Sequence, residues 1–409
     1  MITRTILKHV ELAIKCRPVT LITGARQVGK TTLAQLFMKN GFSYVSLDNS
    51  RELEMAIKDP QMFLQTHKWP LIIDEVQRAP NLFAAIEEIV NKEKMINPKN
   101  YGMFILTGSQ MYSLMENVSE SMSGRVAIIH MPPLSRNEIL NRDESKFNFD
   151  IQRINDRAKQ NPMTSNELFE NIVKGFYPEL YSNEYLTSDM FYSDYIETYI
   201  ERDVCKIINI KDKFVFRRFM ELLASLTGQE LIYDNISKNL GVDAKTIKSW
   251  VSVLLAGDII YLLEPYNETS IKKRIVKRPK LYFTDTGLAS YLAKAFSPKM
   301  LQSSFLSGSF VETYIINEIR KSYLNNGKNP NFYYYRDSKM NEIDLIIIED
   351  GILHRVECKS GITFNLSAVE GFKCVENTKY VLGISGIICN TDVVYPLGKN
   401  IYVFPLSGI

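Results

Sequence analysis

Short apolar runs alternate with segments of helical spacing along the first part of the chain. The alternation predicts strands and helices in turn. The predicted strands cover 19–23, 44–47, 71–73 and 103–106, with a further one at 126–131, and the predicted helices cover 30–39 and 82–90. Strands that alternate with helices predict a largely parallel sheet with helices on both faces.

The remainder of the chain changes character several times. A polar region at 141–167 marks the end of the first domain, and helical spacing follows from 168 to about 229, with aromatic residues that we expect in the core. Two short helices joined at Gly241 and two strands, 259–263 and 281–283, come next. Mixed helix and strand return from about 307. We therefore predict an α/β multidomain protein with four parts: 1–160, 161–210, 211–295 and 300–409.

Composition narrows the class of protein. The 409 residues are 45% hydrophobic and 23% charged, as in soluble globular proteins. No apolar run approaches the roughly 18 residues of a membrane helix, and the N-terminus lacks the apolar stretch of a signal peptide. Five cysteines without C-x-x-C spacing predict reduced thiols, a cytoplasmic protein and no zinc site. The net charge of +3 does not by itself predict nucleic-acid binding.

A glycine-rich segment after the first strand carries the clearest chemistry. It matches G-x-x-x-x-G-K-[ST], follows a predicted strand and opens a predicted helix, which is the context a phosphate-binding loop needs. Backbone N–H groups and the helix N-terminus would hold the phosphates of ATP. Lys30 would reach the β- and γ-phosphates, and the Thr31 hydroxyl would bind Mg²⁺. The predicted nucleotide-binding residues are Gly24, Ala25, Arg26, Gln27, Val28, Gly29, Lys30, Thr31 and Thr32.

Two further predicted strands end in polar residues at the same edge of the sheet. The strand at 71–73 ends in Asp74 and Glu75, and the one at 103–106 is followed by Thr107 and Ser109. Asp74 would hold the magnesium ion and Glu75 would polarise the attacking water. Thr107 or Ser109 could sense the γ-phosphate. The segments together predict an ATPase site.

In these segments, and in others further along the sequence, the chain resembles prokaryotic predicted AAA-type ATPases that carry an uncharacterised conserved C-terminal domain. The shared segments are 24–31, 74–77, 106–109, 123–125, 133–135, 199–204, 280–288 and 356–360. The resemblance implies an ATPase core, a helical lid region, a winged helix and a restriction-endonuclease-like domain. It further implies a homo-oligomer whose neighbouring subunit supplies an arginine. Arg125 is the first candidate and Arg202 the second, with an ordinary surface ion pair as the alternative for both.

The two short helices around Gly241 have the pattern of a helix-turn-helix. The turn often needs a left-handed backbone, which glycine adopts readily. The second helix would expose lysines, and the following strands would form a wing with a basic stretch from 272 to 280 at its tip. The cations would meet the phosphates of DNA, although a protein contact or a solvated loop remains the alternative. The predicted nucleic-acid residues are Lys245, Lys248, Lys272, Lys273, Arg274, Lys277 and Arg278.

An Asp350-Gly351 pair between two strand-like segments predicts a type I′ hairpin. With these two residues in the loop, Asp344 lies opposite Glu357 and Glu342 lies opposite Lys359. Opposed carboxylates repel each other, and a shared divalent cation would remove the repulsion. Glu357 and Lys359 share a face of their strand.

The resulting cluster resembles the PD-(D/E)XK nucleases, except that Ile343 stands where the motif has proline. In that resemblance Asp344 and Glu357 bind Mg²⁺, Lys359 orients water, and Glu312 is the upstream acid. Two alternatives stay open: a polar outer face of the strand, or a nuclease relative that binds DNA or a protein without cleavage, as an ATP-controlled switch.

Overall fold

The computed structural model describes residues 2–109, 122–199, 212–267, 278–362 and 364–409. Part of the predicted basic stretch lies outside these ranges, namely Lys272, Lys273, Arg274 and Lys277, and so does Arg202. The roles predicted for these residues therefore stay predictions.

The first part of the chain is built on a parallel sheet, as predicted. Its described strands lie in the order β2-β3-β4-β1-β5, and all pairings between them are parallel. The strands are β1 Val19–Thr23, β2 Ser43–Ser46, β3 Leu71–Asp74, β4 Phe104–Gly108 and β5 Val126–His130. The helices around them are α1 Leu7–Cys16, α2 Lys30–Gln35, α3 Ser50–Lys58, α4 Pro60–Thr66 and α5 Leu82–Ile96. Because β1 lies between β4 and β5, the loop that follows it leaves the interior of the sheet.

Helices follow the sheet, and polar side chains fix where several of them begin. Ser135, Asp150, Thr164, Thr187 and Asp212 each accept a hydrogen bond from the first turn of the next helix, as N-cap residues do. The helices that they cap are α6 Arg136–Ile139, α7 Ile151–Gln160, α8 Ser165–Lys174, α10 Ser188–Tyr195 and α11 Lys213–Ser225, and α9 Glu179–Ser182 begins after Pro178 without such a cap. The predicted aromatic core is confirmed, since Phe191, Tyr192, Tyr195 and Tyr199 are all buried.

The next part contains two helices and a small antiparallel sheet. Helices α12 (Tyr233–Leu240) and α13 (Ala244–Ala256) meet at Gly241, whose φ of 68° is left-handed, as the turn requires. The sheet has the order β6-β8-β7. Its strands are β6 Gln229–Glu230, β7 Ile260–Leu263 and β8 Lys280–Phe283. One expectation is wrong: Lys280 is not at the tip of a basic loop but is 2% exposed within β8.

The C-terminal part packs helices against a mixed sheet. The helices are α14 Thr286–Leu292, α15 Pro298–Gln302 and α16 Ser307–Asn325. The described strands run in the order β14-β15-β13-β11-β10-β9, with β12 beside β11. They are β9 Phe332–Arg336, β10 Glu342–Glu349, β11 Ile352–Cys358, β12 Val381–Leu382, β13 Ser385–Cys389, β14 Tyr395–Gly398 and β15 Ile401–Pro405. A 3₁₀ segment, Leu366–Val375, packs on β10.

The successive parts of the chain pack against one another through a shared apolar core and through hydrogen bonds. The backbone N–H of Tyr266, beyond β7, donates to the carbonyl of Tyr334 in β9 at 2.6 Å. Arg136 in α6 donates to the carbonyl of Ser407 near the C-terminus at 2.9 Å. The small sheet therefore contacts the C-terminal sheet, and α6, which follows the first sheet, contacts the end of the chain.

The described cysteines carry free thiols, in line with the expected reduced state. No helix within the described ranges is both long and apolar enough to cross a membrane.

Candidate functional site

The loop between β1 and α2 is shaped by two glycines with positive φ. Gly24 has a φ of 145°, and a Cβ there would lie 2.2 Å from the carbonyl oxygen of Met131, so only glycine fits. Gly29 has a φ of 96° and precedes the first turn of α2. The loop thus turns tightly and presents the N-terminus of α2 to a ligand, as a phosphate-binding loop must.

Lys30 lies inside this loop and is 6% exposed. Its ammonium donates to the carbonyls of Gly24 at 3.0 Å and Ala25 at 2.7 Å. Burial lowers the pKa of Lys30 to about 8, while the carboxylates of Glu75, Asp74 and Asp258 act in the opposite direction. The lysine therefore holds a positive charge at neutral pH with little solvent around it, where an anionic ligand would be attracted strongly.

Thr31 and Asp74 come together although 43 residues separate them. The Thr31 hydroxyl donates to the two carboxylate oxygens of Asp74 at 2.9 and 3.1 Å. Tyr44 on β2 donates to the same carboxylate at 3.0 Å, and Thr107 on β4 donates to it as well. Three strands thus converge on one buried carboxylate at the carboxyl edge of the sheet.

Glu75 follows β3 with a left-handed φ of 58°, which turns its side chain away from the strand direction. Its carboxylate accepts a hydrogen bond from the Gln77 amide, and its backbone N–H lies 3.4 Å from the Thr107 hydroxyl. Of the two predicted sensors, Thr107 contacts Asp74 directly, whereas Ser109 is buried at the end of a described range.

Three charged or titratable side chains that the sequence pattern did not single out lie beside the loop. Burial raises the pKa of Asp258, between α13 and β7, while Arg320, Lys30 and the Ala25 N–H of the loop act in the opposite direction. Arg320 on α16 lies 3.8 Å from Asp258, and His130 at the end of β5 interacts electrostatically with both. Asp258 therefore lies between the phosphate-binding loop and α16 of the C-terminal part.

An apolar cavity of about 490 Å³ opens beside the loop. It lies between the N-terminal segment and α2 and is closed on one side by Met131, Leu134 and Pro178. The cavity is continuous with Gly29 and Thr32, so a group attached to a phosphate held by the loop could enter it.

The C-terminal hairpin has the predicted turn and register. Asp350 and Gly351 both have positive φ, 49° and 80°, as a type I′ turn requires. Glu349 pairs with Ile352 and Leu345 pairs with Val356, so the next positions along the two strands are Asp344 and Glu357. The register of β10 against β9 shifts between Ile343 and Ile346, which is a bulge at the acidic position.

Asp344 and Glu357 converge with Lys359 as predicted. Lys359 lies 2.6 Å from Glu357 and 3.8 Å from Asp344, and the Cys358 N–H donates to Asp344 at 2.8 Å. Burial raises the pKa of Glu357 to about 9, and the adjacent Asp344 carboxylate adds to the rise although Lys359 opposes it. The expected pairing of Glu342 with Lys359 does not occur, because the pairing of β10 with β11 ends at Leu345 and Val356 and β11 itself ends at Cys358.

Lys280 is the residue of this cluster that the sequence placed elsewhere. Its ammonium lies 2.9 Å from Glu312, 2.6 Å from Glu342 and 3.9 Å from Asp344. Burial alone would lower the pKa of Lys280, but these carboxylates outweigh it and hold that pKa above its ordinary value. Burial raises the pKa of Glu312 to about 7, and Tyr282 donates a hydrogen bond to the same carboxylate.

The cluster opens into a groove of about 860 Å³ between the small sheet and the C-terminal sheet. Arg278 and Arg336 line the groove together with the acids Glu312, Glu342 and Asp344. Among the described residues, no group of three or more His, Cys, Asp or Glu side chains is placed to hold a metal ion. The ammonium of Lys280, rather than a further acid, stands among the carboxylates.

Three family models match successive parts of the chain. Residues 16–140 match the AAA domain, residues 165–299 match a domain of unknown function, DUF8612, and residues 307–409 match another, DUF4143. The first match supports an AAA-type ATPase. It falls on the phosphate-binding loop and on Asp74, Glu75 and Thr107, and therefore supports ATP binding and hydrolysis there.

Curated relatives and solved structures add likenesses of lower strength. The uncharacterized proteins Mb2031c of Mycobacterium bovis and Rv2008c of Mycobacterium tuberculosis are each 25% identical over 87% of this chain and 73% of their own length. Thermotoga maritima RuvB is 17% identical over 63% of this chain and 88% of its own, with a TM-score of 0.29. AMPPCP-bound DnaA from Aquifex aeolicus is 16% identical over 61% of this chain and 85% of its own, with a TM-score of 0.24. TM-scores this low carry no argument about the chain.

Arg125, the first candidate for the arginine, is partly exposed, and two of the predicted DNA-contacting lysines lie within the described residues. Arg125 lies 3.3 Å from Glu87 and donates to Asn91 at 2.8 Å, which is the ion-pair arrangement given as its alternative role. Lys245 and Lys248 on α13 are exposed, as expected.

Proposed function

We propose that the chain is a Mg²⁺-dependent ATPase that acts at the loop between β1 and α2. The observation that carries the proposal is the contact of Thr31 with Asp74 at 2.9 Å, because it joins the loop to the acidic strand end. Lys30 binds the β- and γ-phosphates, backbone N–H groups of residues 24–32 surround them, and Glu75 polarises the attacking water. Thr107 or Ser109 would sense the γ-phosphate.

The residues at this position fit a magnesium ion. Mg²⁺ prefers oxygen ligands and keeps several waters, so one hydroxyl and one carboxylate from the protein are sufficient. Thr31 and Asp74 supply these, and when bound the ion would neutralise charge on the β- and γ-phosphates. The apolar cavity of about 490 Å³ is where we place the nucleotide base.

Nucleotide binding tests this proposal directly. Lys30→Ala removes the cation that faces the phosphates, and we expect calorimetry to show no binding of AMPPCP with Mg²⁺. Lys39→Ala is the matched control, because Lys39 is an exposed lysine just beyond α2 and should bind as the wild type does. Binding that survives in Lys30→Ala would refute the assignment.

For the C-terminal part we propose a nuclease-type site directed at nucleic acid. The contacts of Asp344, Glu357 and Lys359 support it, and Glu312 lies on α16 as the upstream acid. Asp344 and Glu357 would be the metal ligands, and Lys359 would orient water and stabilise the charge on phosphorus. Carboxylate oxygens suit Mg²⁺, but Lys280 would have to leave the cluster first.

We further propose that α12, α13 and the small sheet form a winged helix that contacts DNA. Lys245 and Lys248 would meet phosphates from α13, and Arg278 lies at the mouth of the groove. The basic residues at 272–277 would extend the same surface. Contacts of this kind would bind backbone phosphate rather than read bases. A homo-oligomer through the ATPase domain, with Arg125 facing a neighbouring nucleotide, belongs to the same proposal.

The buried position of Lys280 favours a second candidate function, an ATP-controlled switch that binds DNA or a protein without cutting. The ammonium already offsets part of the negative charge of Glu312 and Glu342, so the carboxylates have less need of a metal ion. Incubation of plasmid and single-stranded DNA with the protein, Mn²⁺ and ATP separates the two candidates. Cleavage that Lys359→Ala abolishes supports the nuclease, and metal binding without cleavage in either nucleotide state supports the switch.

A further inference from the structure

Asp258 reaches the phosphate-binding loop from another part of the chain. It links α13 to β7, and its left-handed φ of 53° directs the side chain out of both elements. Its carboxylate is 15% exposed, and Lys30 and the Ala25 N–H of the loop favour its charged form. A negative charge is thus held directly on the loop that is proposed to take the phosphates.

The positive charge of Lys30, which lies near this carboxylate, would also bind a triphosphate. Lys30 interacts electrostatically with Asp258, and in this arrangement its ammonium donates to loop carbonyls. A bound nucleoside triphosphate would bring further negative charge to Lys30, which its Mg²⁺ ion offsets only in part. Like charges in a site with little solvent repel strongly, so the carboxylate and the γ-phosphate cannot both stay close to Lys30 without cost.

Arg320 connects Asp258 to the C-terminal cluster. Its guanidinium lies 3.8 Å from Asp258 and 4.5 Å from the centroid of the Tyr261 ring. Tyr261 stacks on Tyr282 with centroids 5.4 Å apart, and the Tyr282 hydroxyl donates to Glu312, which Lys280 also contacts. Residues in direct contact therefore lead from the loop to the carboxylates.

We propose that Asp258 is an internal anion of the nucleotide site, a positioning residue that a nucleoside triphosphate displaces from the loop. Its withdrawal frees Arg320 and shifts β7 and β8, which carry Tyr261, Tyr282 and Lys280. The nucleotide state of the loop is in this way passed to the carboxylate cluster. The proposal rests on the proposed nucleotide binding and adds to it the residue that competes with the γ-phosphate.

Affinity measurements test the displacement. Asp258→Asn and Asp258→Gly both accept a left-handed backbone, so the loop geometry can be kept while the charge is removed. We expect calorimetry with Mg²⁺ to show AMPPCP bound about tenfold more tightly by both variants, within the usual range of coupling between sites. The gain should be smaller for ADP, which lacks the γ-phosphate. Asp234→Asn, an exposed acid on α12, is the control and should leave both affinities unchanged.

Hydrogen exchange measured by mass spectrometry tests the connection. AMPPCP should speed amide exchange in β7, β8 and α16 of the wild type, and the difference should disappear in Asp258→Asn. If the wild type binds AMPPCP and both Asp258 variants bind it equally or more weakly, the inference is overturned but the proposed function is not. Tighter binding without the exchange difference would overturn the connection to the cluster. A wild type that binds no nucleotide would overturn the proposed function and the inference together.

Discussion

Lys280→Met should destabilise the protein more than a surface lysine substitution would. Lys280 is 2% exposed, and Met has a similar length, so the change removes the charge while most of the packing is kept. The two contacts below 3 Å, to Glu312 and Glu342, are lost, and three carboxylates remain around an uncharged side chain.

The structure sets the size of this effect. Removal of one partner from a buried ion pair costs about 3–5 kcal/mol, because the other charge stays buried without compensation. Glu342 is 32% exposed, so solvent screens part of its charge. Glu312 and Asp344 are 13% and 9% exposed, so most of the cost of leaving their charges buried without a counter-charge remains. For a cooperative unit of 150–250 residues, about 3–5 kcal/mol corresponds to a fall in Tm of about 6 to 20 °C.

Thermal unfolding at pH 8 measures the difference, with and without Mn²⁺. Lys92→Met is the control, since Lys92 forms an exposed i,i+4 pair with Glu88 and should change stability by about 0.5 kcal/mol or less. Mn²⁺ should restore part of the lost stability in Lys280→Met, because a cation can now occupy the place of the ammonium. A Tm within about 2 °C of the wild type would refute the role of Lys280 as the counter-charge of the cluster.

Three further predictions follow from other sites. Burial raises the pKa of Glu144 from its ordinary value of 4.5 to about 7, so the wild type loses stability as pH rises through this window. The variant Glu144→Gln keeps an acceptor for Asn325 but does not titrate. In urea unfolding, its free energy of unfolding should rise relative to that of the wild type from pH 4.5 and exceed it by about 3 kcal/mol above pH 7. A difference that does not change with pH would contradict the assignment. Gly24→Ala should weaken AMPPCP binding at least about tenfold, because its Cβ meets the Met131 carbonyl, whereas Gly308→Ala, which has open space, should not. In DNA-binding titrations, neutralising Lys272, Lys273, Arg274, Lys277 and Arg278 together should flatten the salt dependence by about 0.9 per lost phosphate contact, and unchanged binding at every salt concentration would contradict the wing.

The sequence was sufficient to predict features whose residues lie close together along the chain. The Asp350-Gly351 turn fixes the register of β10 and β11, and the register places Asp344 beside Glu357. The phosphate-binding loop was equally predictable, because its spacing, the preceding strand and the following helix agree. The parallel sheet followed from the alternation of apolar runs with helices.

Contacts between distant parts of the chain could not be predicted in this way. Lys280 belongs to a basic run whose composition suggests a solvated loop, and only the packing of β8 against α16 and β10 brings it to Glu312 and Glu342. Asp258 follows a glycine between a helix and a strand, which indicates a turn and nothing more. Its place at Ala25, far away in the sequence, is a property of the tertiary fold.

The rate of phosphate release by Glu75→Gln tests the ATPase assignment most directly. The substitution keeps the shape of the side chain and removes the group that polarises water, so hydrolysis should fall by about 10²–10⁴-fold while AMPPCP binding is retained. Glu88→Gln, an exposed acid on α5, should hydrolyse ATP as the wild type does. Unchanged phosphate release in Glu75→Gln, with wild-type nucleotide binding, would contradict the account of this site.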